Sequence, residues 1–168
     1  GSVFEMVDQG EQDIIISSCC HSVNTLIQKH YPAALPYLAK VASPMMAHCS
    51  DLKERHPGAK TVFIGPCVSK KAEAEQYPGP VDCVLTFEEL SGWLEEEGLA
   101  IPADPEQVSG TARFFPISGG ILRTMECNRK DYSYMVVDGT TQCVEALEEV
   151  IQGHKFFSES SVMRIRGE

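Results

Sequence analysis

Short runs of β-branched residues alternate along this chain with stretches in which apolar side chains recur at helical spacing. Asp13-Ile14-Ile15-Ile16-Ser17-Ser18 is such a run and ends in small residues, the pattern of a strand buried in a parallel sheet. Val23, Leu26, Ile27 and His30 follow on one helical face, so strand, loop and helix succeed one another with Cys19-Cys20 at the junction. Ser43-Pro44 reads as a cap with proline at the first helical position, and Met45, Met46, Cys49 and Leu52 then share a face until His56-Pro57-Gly58 stops the helix. The unit repeats: Thr61-Val62-Phe63-Ile64-Gly65 is a buried strand, Pro66-Cys67 a turn, and Ser69 caps a helix through Ala74. Val81 to Leu85 is a third strand, and Thr86 with Glu89 forms a capping box for a helix carrying Phe87, Leu90, Trp93 and Leu94.

Proline and glycine dominate from Gly98 to Gly120, where Pro102 to Gly110 reads as a surface loop and Ser118-Gly119-Gly120 as a tight turn before Ile121, Leu122 and Met125. Tyr134 to Val137 is a fourth strand, Thr141 caps a helix presenting Val144, Leu147 and Ile151, and Ser161 to Ile165 forms a further, edge strand. The pattern predicts an α/β fold: a parallel sheet of about four strands flanked by helices, built from strand-loop-helix units with cysteines at the strand ends.

The chain has 168 residues, 43% hydrophobic and 23% charged, which suits one globular domain over residues 1–168. A net charge of −10 excludes a sequence-independent phosphate binder, which needs a clustered basic surface, so nucleic acid is not an expected partner. No apolar run approaches the roughly 20 residues of a membrane helix, and no membrane association is expected. The seven cysteines are odd in number and Cys19 adjoins Cys20, which fits a disulfide framework poorly and points to a reducing cytoplasm.

Ligands of open parallel sheets sit outside the carboxyl ends of the strands, where loops are free to vary and helix N-termini point N–H groups into the crevice. Cys19-Cys20 and Cys67 both fall at that position. The helix dipole, with Lys70 and Lys71 near Cys67, favours thiolate there, the form that ligates iron or attacks as a nucleophile. The bland alternative is that each thiol fills a crowded strand end; for Cys49 and Cys83, inside apolar patterns, that reading is preferred. Cys127 and Cys143 have no close-spaced partner, and no Cys-x-x-Cys segment offers a self-contained metal site. His30, His48, His56 and His154 read as surface or helix-end residues, and Glu95-Glu96-Glu97 as a solvated helix face.

Ser17-Ser18-Cys19-Cys20 resembles the first cluster motif of the iron-only hydrogenases, and Gly65-Pro66-Cys67-Val68-Ser69-Lys70-Lys71-Ala72-Glu73 resembles the second, keeping Lys three and Glu six positions after the cysteine. Ser43-Pro44-Met45-Met46 and Val84 to Leu90 are similar to the same family's large-subunit catalytic domain, and the likeness runs to about Gly153. The resemblance implies a 4Fe-4S cluster bridged to a two-iron centre where protons and electrons combine to hydrogen. By the same resemblance Cys20 and Cys67 are two cluster ligands, Ser18 and Pro66 line the cofactor, Cys19 relays protons, and Lys70 donates a hydrogen bond to a cyanide of the two-iron centre. It implies as partners a ferredoxin-like electron donor or flanking iron-sulfur domains, with H2 and protons as substrates.

The family's third motif, a Cys-x-x-x-Cys in a glycine-rich setting, does not occur in the 168 residues. The chain is therefore expected to be a catalytic domain either truncated before that motif or degenerate in it, binding no cluster alone and inactive by itself. His21 stands where the family has proline, and Gly65 where fast members place methionine, which is similar to the sensory or divergent branch. The alternative function is a non-catalytic hydrogenase-like iron-sulfur or H2-sensing regulatory protein. A thiol-disulfide redox protein using Cys19 and Cys20 is disfavoured, because adjacent cysteines close a strained ring.

Overall fold

Among the described residues the elements follow in chain order as β1 (Ile14–Ile16), α1 (His21–His30), a 3-10 stretch (Pro32–Tyr37), α2 (Pro44–Arg55), β2 (Val62–Ile64), α3 (Ser69–Gln76), β3 (Cys83–Leu85), α4 (Phe87–Glu96), β4 (Ser133–Asp138), α5 (Thr140–Ile151) and β5 (Ser161–Arg166). The computed structural model describes residues 6, 14–100, 133–153 and 161–166. The expected loop at 102–110, the turn at 118–120 and the apolar positions after it, Cys127 and His154 lie outside the described residues.

Every described strand pair is parallel, so the α/β reading with cysteines after the strands holds, and the strands divide between two sheets. The chain accordingly separates into two compact units, one made of Gly1–Ala42 with Gly110–Glu168, the other of Ser43–Ser109.

In the first unit the order is β1-β5-β4. β5, expected at an edge, lies in the centre, pairing Ile14 with Ser161 on one side and Ser133 with Ser161 on the other. Its mixed polar and apolar sequence suggested a half-exposed edge, but strand order depends on long-range pairing that local pattern does not encode. Ile16, Val23, Ile27, Ala34, Val137, Cys143, Ala146, Leu147 and Val150 form one buried cluster, so β1, α1, the 3-10 stretch, β4 and α5 share a core. Gly139, not Thr141, precedes α5; its φ of 84° and ψ of 152° put it where a side chain is strained, and glycine there lets the chain turn from β4 into the helix.

In the second unit β2 and β3 pair in register from Val62–Cys83 to Ile64–Leu85. One side of this pair is covered: Met45, Met46, Cys49 and Val81 are buried and pack with Phe63, Ala74 and Val84. The cap of α2 is as expected, with Met46 N–H donating to Ser43 Oγ at 3.3 Å and Pro44 in the first turn. The capping box of α4 is also formed, Thr86 N–H donating to Glu89 Oε2 at 2.8 Å and Glu89 N–H to Thr86 Oγ1 at 3.2 Å. Two expectations fail here. Ser69 is the first residue of α3 rather than its cap, Val68 preceding it without a side-chain cap. The apolar face of α4 is not buried: Phe87 and Trp93 are more than half exposed.

Asp82 ties the start of β2 to the loop before β3. Its carboxylate accepts from Lys53 and Lys60, from the Thr61 N–H at 2.9 Å and from Thr61 Oγ1 at 3.1 Å. The Lys53 ammonium, 2.8 Å away, does most to hold the acid well below its ordinary 3.8, with the Thr61 N–H and Lys60 adding to it. A carboxyl depressed on folding stabilises the fold above the unfolded pKa, and that contribution disappears as pH falls through the folded value. Asp82→Asn should therefore lower Tm at neutral pH, with the gap to the parent chain closing as pH drops below about 4. A gap constant from pH 7 into the acid range would mean that Asp82 acts through shape and not charge.

Candidate functional site

The turn after β1 is fixed by a chain of hydrogen bonds. Ser17 and Ser18 are buried, and Ser18 Oγ donates to Val41 O at 3.0 Å. Asn24 Nδ2 donates to Ser18 O at 2.9 Å while Asn24 N–H donates to Cys20 O at 3.1 Å, so one asparagine holds both ends of the Ser18–Cys20 segment. Cys20, extended at φ −99° and ψ 110°, occupies the N-cap position of α1. Both thiols of the pair are half-buried, and His21 is buried with its Nε2 3.5 Å from Thr25 Oγ1. Among the described residues, buried Asn24 Oδ1 meets no hydrogen-bond donor. Asn24 was not singled out from sequence; its place four residues after Cys20, one helical turn on, is the signal that could have found it.

The turn after β2 carries the second set. Gly65 is buried and its N–H donates to Leu85 O at 3.0 Å. A Cβ at Gly65 would come 2.9 Å from Cε1 of Phe63, so a larger residue there requires the Phe63 ring to move. Phe63 thus occupies space that a side chain at Gly65 would take. Pro66 is exposed and Cys67 half-buried, and Cys67 O accepts the Lys70 N–H at 3.1 Å to open α3.

Lys70 Nζ lies 2.6 Å from Glu73 Oε2, with the two side chains only 13% and 4% exposed. Lys71 pairs instead with Glu89, at the surface. The two ammonium groups expected to bias Cys67 toward thiolate are therefore each matched by a carboxylate, a point local sequence understates because Glu89 lies on another helix.

The remaining cysteines divide by burial. Cys49 is buried in the core of its unit, and loss of solvation raises its pKa. Cys83, expected inside, is exposed on β3, since it projects from the side opposite the α2 contact. Cys143 is buried in the first turn of α5, where burial first, then Cys20 and Asp138, push its thiol up to about 11. His30, His48 and His56 are exposed, as is the Glu95-Glu96-Glu97 run.

Among the described residues no three His, Cys, Asp or Glu side chains converge on a point. The donor chemistry at the two turns nonetheless suits an iron-sulfur group: thiol sulfurs, partly shielded from water, each directly after a parallel strand. Cys19, Cys20 and Ser18 belong to the first unit, and Pro66, Cys67 and Lys70 to the second.

Iron hydrogenase 1 of Clostridium pasteurianum is 25% identical over 141 residues, covering 71% of this chain and 25% of that protein. The cytosolic Fe-S cluster assembly factor NAR1 of Encephalitozoon cuniculi is 33% identical over 89 residues, covering 53% of this chain and 24% of its own length. The chain thus spans about a quarter of the curated relatives it matches. An apo FeFe-hydrogenase HydA1 variant from Chlamydomonas reinhardtii shares the fold with a TM-score of 0.66 at 17% identity, over 98% of this chain and 62% of that one. No described helix is long and apolar enough to cross a membrane. Residues 2–164 match the iron only hydrogenase large subunit, C-terminal domain, and the chain is a member of that family.

Proposed function

We propose that this chain is part of an iron-only hydrogenase-like oxidoreductase in which Cys20 and Cys67 ligate a 4Fe-4S cluster. The observation that carries the reading is the placement of both half-buried cysteines directly after parallel strands, in a chain of this family. Bound in that setting, the cluster with its two-iron centre would supply the electron chemistry of proton reduction and hydrogen oxidation.

The protein side of the chemistry falls to a few residues. Cys19, next to the ligand Cys20 and half-buried, holds or releases a proton at Sγ. Lys70, 13% exposed and held by Glu73, donates a hydrogen bond to an anionic ligand. The Ser18–Asn24 bonds keep the backbone before Cys20 from shifting. Electrons come from a ferredoxin-like donor or flanking iron-sulfur domains, and the protein is cytoplasmic.

A second reading, a non-catalytic hydrogenase-like iron-sulfur or H2-sensing protein, is favoured by the similarity to NAR1. Retention of Cys19 discriminates in part, favouring proton chemistry, since assembly needs no proton-relaying thiol beside the ligand.

Anaerobic reconstitution with iron and sulfide tests the ligand assignment. These 168 residues leave two cluster positions unfilled by the family's third motif, so a small exogenous thiol is included. Roughly four irons per chain and the visible absorption of a cubane are expected, lost in Cys20→Ala and in Cys67→Ala and kept in Cys49→Ala. Equal iron content in all of these variants would remove the assignment.

A further inference from the structure

α4 is closed at both ends by local motifs. The Thr86–Glu89 capping box starts it. At its other end the Gly98 N–H donates to Glu95 O at 3.0 Å and the Leu99 N–H to Leu94 O at 2.8 Å, with Gly98 at φ 68°, so the chain turns back and brings Leu99 beside Leu94. Yet among the described residues no side chain of α4 is buried, and Phe87, Trp93 and Leu99 are more than half exposed. Phe87, Leu90, Trp93 and Leu94 occupy one arc of about 120° on a helix with 3.6 residues per turn.

The neighbours of Trp93 on the helix surface are acidic. Glu89 stands four residues before it, Glu96 and Glu97 three and four after, the positions whose side chains meet its own. The Glu97 N–H donates to Trp93 O at 3.1 Å, so the helical turn continues through them. Lys71 matches Glu89. Glu88, Glu95, Glu96 and Glu97 are exposed and meet no cation among the described residues, and the last three lie where the helix dipole is already negative.

We propose that α4 is a docking face for a cationic amphipathic helix of a partner protein, centred on Trp93. Such a helix offsets two costs at once, an apolar stripe in water and carboxylates that repel one another and the helix end. Its apolar side chains cover Phe87, Leu90 and Leu94, and its Lys or Arg residues lie between the Trp93 ring and the carboxylates, where cation–π attraction adds to the ion pairs. A second copy of α4 or an anionic lipid surface brings negative charge to negative charge.

Trp93 is the single tryptophan of the chain, so its emission reports this face alone. The test titrates the full chain with a synthetic helix of leucine and lysine, its leucines at helical spacing and without aromatic residues. The expected result is a blue shift of Trp93 emission that saturates at one peptide per chain and weakens with salt. By calorimetry the affinity should fall about tenfold in Trp93→Ala and in the double variant Glu96→Gln/Glu97→Gln, and stay unchanged in Glu148→Gln, an exposed carboxylate of α5. Should a variant misfold, the titrations of the parent chain still decide. An equal shift with a leucine and glutamate peptide of the same spacing, or with the leucine and lysine residues reordered to leave no apolar face, would overturn the proposal. So would equal affinity in the parent and both α4 variants. Emission of the free chain moving blue with its own concentration would assign the face to a second copy instead, and a larger shift with phosphatidylglycerol vesicles than with the peptide would assign it to a membrane.

Discussion

Glu73→Ala should destabilise the fold by about 3–5 kcal/mol, among the larger effects a single side chain produces, and should show as a lower denaturant midpoint with an unchanged slope. Glu73 is 3% exposed and its carboxylate lies 2.6 Å from Lys70 Nζ, itself on a side chain only 13% exposed. Removing the acid takes the adjoining carboxylate from a largely buried ammonium, and the cost is that of desolvation more than of a lost attraction. Replacing both partners by apolar residues of similar volume, Lys70→Met with Glu73→Leu, should recover most of the loss. Lys71–Glu89 is the internal control: with side chains 36% and 44% exposed, its loss should leave the denaturant midpoint almost unmoved. A Glu73→Ala cost as small as that of the control would show water reaching Lys70 freely.

Elements whose information is local were readable in the sequence. The strand at Ile14–Ile16, the Ser43-Pro44 start of α2 and the Thr86/Glu89 box each depend on residues within one or two turns, and each formed as the pattern required. What failed was set by distant chain. β5 is central because both β1 and β4 pair with it, and its own residues do not determine its neighbours. Phe87 and Trp93 are exposed although they sit at helical spacing, because periodicity names a face without naming what covers it. Ser69 was expected as a cap from its type, yet the helix begins at it, with Lys70 N–H bonding back to Cys67 O.

The site divides in the same way. Cysteines after strands could be placed from pattern, and the motif supplied roles that no periodicity contains. Asn24, whose amide and side chain both bind the Cys20 turn, was missed because a half-buried asparagine early in a helix has no compositional mark. The surroundings of Cys143 were equally hidden: its partners come from β1, α1 and β4, far away in sequence.

Leu147→Ala should cost about 2–5 kcal/mol, since a fully buried leucine loses both its transfer energy and the packing of the cavity it leaves. Leu147 is 0% exposed in α5, among Ile16, Val23, Ile27 and Val150. Ile151, four residues on and 38% exposed, is the comparison: its truncation should cost well under half as much, because part of it is already in water. The same cluster supports Cys20 and buries Cys143, so the damage should have a second readout. Alkylation of Cys143 in the native state requires the core to open, and its rate follows the free energy of opening when closing is fast. Leu147→Ala should therefore speed Cys143 alkylation by a factor matching the lost stability, about tenfold for each 1.4 kcal/mol. Alkylation of the exposed Cys83 should not change. Equal acceleration at both thiols would point to general loosening; acceleration at Cys143 alone ties the cysteine turn of α1 to the packing of α5.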